Sequence, residues 1–69
     1  MTIKIEIRSR KLGRTVRFVA RESGYVFVDP TAASWGRQLF DQRGDAVLAR
    51  SKEELQRVAR RWIDQQVVI

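Results

Sequence analysis

The chain has 69 residues and a formal net charge of +6, with fourteen Lys and Arg against eight Asp and Glu, and it contains neither cysteine nor histidine. A single domain of this size buries only about 60% of the surface its unfolded chain exposes, and no disulfide or Cys/His zinc site supplements it, so packing or a second subunit must supply the stability. Without His and Cys the side chains most used for acid-base and nucleophilic catalysis at neutral pH are missing, and the expectation is a protein that is not an enzyme.

The opening Met1 to Glu6 interleaves charge with isoleucine, unlike an export leader, and the longest uncharged run, 30–36, is too short and polar to span a bilayer. A soluble cytoplasmic protein with no membrane partner is expected. Ile3, Ile5 and Ile7 alternate with Lys4, Glu6 and Arg8, the period of a strand with one buried face. After the turn Arg10 to Gly13, Val16, Phe18 and Ala20 alternate with Arg17, Val19 and Arg21, so the two segments predict an antiparallel hairpin.

A turn at Glu22 to Gly24 leads to Tyr25-Val26-Phe27-Val28, a strand without charge on either side, so its pattern does not choose between Tyr25 and Phe27 or Val26 and Val28 as the inward pair. Asp29-Pro30 ends it, and Asp29 as N-cap with Pro30 at the first helical position predicts one helical turn through Ala33. Trp35 to Phe40 reads as a fourth strand, 41–45 as a turn, and Ala46 to Ala49 as a short fifth strand or extended connector.

The strongest element is the last. Ser51-Lys52-Glu53-Glu54 fits a capping box, and Leu55, Val58, Ala59, Trp62 and Ile63 share one helical stripe, which predicts a helix to about Gln66 followed by the apolar tail Val67-Val68-Ile69. The expected fold is one α+β domain over 1–69: an antiparallel β-meander of four to five strands with one C-terminal amphipathic helix packed on one face. Its predicted core is Ile3, Ile5, Ile7, Val16, Phe18, Leu39, Leu55, Val58, Ala59, Trp62 and Ile63, with part of the third strand.

One helix covers one side of a sheet, which directs attention to the other. The first 21 residues hold seven basic residues against Glu6 alone, a local excess equal to that of the whole chain. Arginines that track phosphates beside aromatic rings on which bases stack are the equipment of single-strand nucleic-acid binding. The candidate residues are Arg8, Arg10, Lys11, Arg14, Arg17 and Arg21 for charge, with Tyr25 and Trp35 as platforms.

The glycines at 13, 24, 36 and 44 stand alone rather than forming a phosphate-binding loop, and Asp41 and Asp45 lack the ligand spacing of a calcium loop, so neither cofactor nor metal is assigned. The strand-strand-strand-strand-helix order resembles the repeat of the PUR family of single-strand nucleic-acid binders. The resemblance is one of element order; it implies the same ligand class and transfers no site residue. Two other classes of reading remain: an acidic protein surface as partner for the same basic hairpin, and a protein-interaction or homodimeric module that pairs through a free sheet face or edge, suggested by the uncharged strand Tyr25 to Val28 and the tail Val67-Val68-Ile69.

Overall fold

The computed structural model describes residues 1–67. Strands β1 (Ile3–Ser9), β2 (Arg14–Ala20), β3 (Val26–Val28) and β4 (Arg37–Gln38) form one antiparallel sheet in sequence order, and α1 (Lys52–Gln65) lies over β1 and β2. This is the α+β meander with a C-terminal helix that the alternating and then helical periodicities require. Val68 and Ile69 of the apolar tail lie outside the described residues, and Val67 is exposed.

The hairpin register opposes Ile3 to Ala20, Ile5 to Phe18 and Ile7 to Val16, and all six face the helix. Its turn is closed by Ser9, a buried residue whose carbonyl accepts from Gly13 N at 3.0 Å and whose Oγ accepts from Leu12 N at 3.0 Å. The third strand resolves the ambiguity left by its sequence. Phe18 opposes Val28 and Ala20 opposes Val26, so the two valines turn inward and are buried, while Phe27, opposite Val19, turns away.

Ile5, Val16, Phe18, Leu39, Leu55, Ala59 and Ile63 are buried as expected, joined by Ala20, Val26, Val28 and Ala49. Ile3, Ile7, Val58 and Trp62 are only half-buried against this cluster. Trp62 meets Phe18 edge to face, with ring centroids 5.6 Å apart and planes at 79°. That geometry sets the positive ring edge against the negative face of the other ring.

Ser51 caps the helix by accepting from Glu54 N at 3.2 Å, whereas the Glu54 carboxylate reaches one residue further back than in a standard capping box, to Arg50 N at 3.3 Å. The helix has no basic residue in its last turn, and the hairpin tip supplies one: Lys11 Nζ donates to the Asp64 carbonyl at 2.6 Å. A cation there complements the negative end of the helix dipole.

Two local expectations are corrected and one alternative is settled. The fourth strand is Arg37–Gln38 rather than Trp35 to Phe40, because Trp35 and Gly36 belong to a loop and Phe40 bridges forward to Ala46. Ala46 to Ala49 is the extended connector rather than a fifth strand. It hydrogen-bonds first to Leu39 through Val47 N and then to the start of β3, through Val47 O to Val26 N and Ala49 N to Gly24 O. No helical turn opens at Asp29, whose φ of 55° is left-handed; instead Thr31 N donates to Ser34 O at 2.8 Å in a tight return. The reason is tertiary. Gly36, at φ 90°, sits so close to β3 that an added Cβ would lie 2.2 Å from the Val28 carbonyl oxygen, and the chain must bend early at Asp29 to reach that position.

Candidate nucleic-acid interface

The side of the sheet away from α1 is built in cross-strand rows. Arg8 stands opposite Thr15 and Glu6 opposite Arg17; Lys4, Val19, Phe27 and Gln38 then form a row across all four strands. Beyond that row Arg21 N donates to Tyr25 O at 3.0 Å, and Tyr25 bridges to Leu48. Strand alternation therefore gathers Lys4, Arg8, Arg17, Arg21, Tyr25 and Phe27 on one face.

This face is not bare. Val19 is fully buried although it points away from the helix. The loop Pro30 to Trp35 folds back over it and, with Lys4, Glu6 and Arg17, lines a groove floored by Val19. The Arg21 guanidinium lies 4.4 Å from the centroid of the Trp35 ring and 6.0 Å from that of Phe27. A cation at such a distance is held by the ring quadrupole, so Arg21 fixes Trp35 at the groove's rim. Trp35 remains 44% exposed and Tyr25 43% exposed, which leaves ring surface available to a ligand.

The expected basic cluster is divided. Arg17 Nε is 3.3 Å from Glu6 Oε1, and Arg14 makes a bidentate pair with Asp29 at 2.9 and 3.0 Å. The hydrogen bond to Asp29, reinforced by its charge, raises the Arg14 pKa above its ordinary value, and this guanidinium anchors the start of the loop. Lys11 is engaged with the helix end. Among the described residues no carboxylate pairs with Lys4, Arg8, Arg10 or Arg21.

Of the sequence-derived candidates, the structure thus brings Arg17, Arg21 and Trp35 to the groove, sets Arg8 and Tyr25 on the same face at its two ends, and leaves Arg10 and Lys11 on the hairpin tip. Arg14 is turned to a structural task. Lys4 and the 30–35 loop are the additions. Lys4 was legible from its alternation with isoleucine, but the loop carries no periodic signal. No protein family, curated protein or solved structure matches the chain.

Proposed function

We propose that this chain is a small non-enzymatic module that binds single-stranded nucleic acid on the face of its sheet opposite the helix. The observation that supports the reading most is the Arg21–Trp35 stack at the rim of the groove that Lys4 lines. An exposed indole offers a base a stacking surface worth about 1–3 kcal/mol, and Lys4, Arg8 and Arg21 are placed to meet the flanking phosphates. A base lays its face on this exposed ring only when it is freed from stacking in a duplex, which favours single strands over duplex. The reading places the protein in the cytoplasm, in keeping with the lack of any helix long and apolar enough to cross a membrane among the described residues.

Titration of a labelled thymidine oligomer, the matching duplex and polyglutamate at two salt concentrations tests the reading. The oligomer should bind at low salt more tightly than the duplex, quench tryptophan fluorescence, and lose about tenfold or more in affinity to Trp35→Ala. Absence of oligomer binding at low salt overturns the proposal. Equal binding of polyglutamate and the oligomer would replace it with an acidic protein partner.

A further inference from the structure

The outer edge of β1 carries a pattern of its own. The strand is seven residues long, without proline, and among the described residues only its β2 side is paired. Which backbone groups lie on the open edge follows from β2. Asp29 N donates to Arg17 O and Arg21 N to Tyr25 O, so odd-numbered residues of β2 direct their backbone groups toward β3 and even-numbered ones toward β1. The partners of those even residues are Ile3, Ile5, Ile7 and Ser9. The N–H and C=O groups of Lys4, Glu6 and Arg8 therefore point outward, free to accept another strand.

A second copy related by a two-fold axis can use this edge only in registers that oppose even residues to even residues. Centring on Glu6 sets Glu6 against Glu6 of the second copy and Lys4 against Arg8, like charges throughout. Centring on Ile7 opposes Glu6 to Arg8 but also sets Lys4 against Arg10, a like-charge pair, and Ile5 against Ser9, a buried residue whose hydroxyl already closes its own turn. Centring on Ile5 sets Lys4 against Glu6 twice, and on the helix side it opposes Ile5 to Ile5 and Ile3 to Ile7. Ile3 and Ile7 are the half-buried isoleucines of the core, so this register covers the apolar surface they still expose.

We infer that two copies of this chain associate through antiparallel β1 edges centred on Ile5, forming a continuous eight-stranded sheet with Lys4 of each copy opposite Glu6 of the other. The inference is independent of the nucleic-acid reading and is tested without nucleic acid, by sedimentation equilibrium of wild type, Lys4→Glu, Glu6→Lys and an equimolar mixture of the two variants. Wild type should show a concentration-dependent mass approaching twice 8.1 kDa. Each variant alone turns both inter-copy pairs into like-charge pairs and should weaken association about tenfold or more. The mixture restores opposite charges at both positions and should recover a dimer containing one chain of each kind. Circular dichroism checks that each variant is folded, and if Glu6→Lys is not, Glu6→Lys with Arg17→Glu keeps the intrachain pair and takes its place. A wild type that stays monomeric at high concentration, variants that associate as well as wild type, or a mixture that stays monomeric overturns the inference.

Discussion

Replacing Gly36 by alanine is a direct test of how the loop over the groove is held. Two costs combine there. An L-residue at φ 90° is strained by about 1–2 kcal/mol. The added methyl would also stand 2.2 Å from the Val28 carbonyl oxygen and 2.9 Å from the Asp29 carbonyl, backbone atoms fixed by strand pairing. Relief requires the two-residue β4 to lift from β3, with the loss of one or two backbone hydrogen bonds at about 1 kcal/mol each. The expected total is about 3 kcal/mol. Gly44 supplies the control, since it has φ 87° but, among the described residues, nothing within 4 Å of the added Cβ, so Gly44→Ala should bear the backbone strain alone, about 1–2 kcal/mol. Urea unfolding followed by far-ultraviolet circular dichroism separates them. With a slope of about 1 kcal/mol per molar for a chain this small, the Gly36 variant's midpoint should fall about 3 M and the Gly44 variant's about 1–2 M. Equal shifts for the two would refute the close approach of loop and strand.

Four further outcomes follow from the same contacts. Trp62→Ala should cost about 2–3 kcal/mol in thermal or urea unfolding, less than the 3–5 typical of a fully buried tryptophan, because the ring is half-buried against Phe18. Ser51→Ala removes the acceptor for Glu54 N and should cost about 1 kcal/mol by the same measurement. In single-strand binding, Arg21→Ala should weaken affinity more than Arg14→Gln, whose charge is already committed to Asp29; the reverse order would displace the site from the groove. The salt dependence should be shallow. Three phosphate contacts, from Lys4, Arg8 and Arg21, give a slope of log affinity against log salt of about −2, whereas participation of all seven basic residues of the first 21 would bring it to about −5.

Long periodic segments were legible in the sequence, and elements set by a single distant contact were not. The isoleucine alternation of β1 and the stripe from Leu55 to Ile63 each repeat enough times to fix type and inward face. The third strand is apolar on both sides, so its inward face emerged only from its register with Phe18 and Ala20. Asp29-Pro30 has the local chemistry of a helix start, yet the seat of Gly36 on Val28 overrides it. For the site, the Glu6–Arg17 pair was within reach of the sequence, because a hairpin turning at Arg10 to Gly13 opposes those residues. The Arg14–Asp29 pair was not, since it spans fifteen residues and depends on the left-handed bend at Asp29. Composition thus located the positive charge correctly along the chain but overstated how much of it remains free.

The helix packs mainly on the first two strands, and what seals the inner side beyond them is the segment from Leu39 to Ala49, which contributes Leu39, Val47 and Ala49 to the core. Its one outward excursion is the tip at Gln42 to Gly44, where the Asp41 carboxylate accepts from Arg43 N and Asp45 N. A peptide tag or fluorophore-bearing insert grafted at that tip should leave the interior dry, while a single extra residue between Ala46 and Ala49 would slip Val47 and Ala49 out of their seats and flood it. For anyone building on this small scaffold, the permissive position and the forbidden one lie within a few residues of each other.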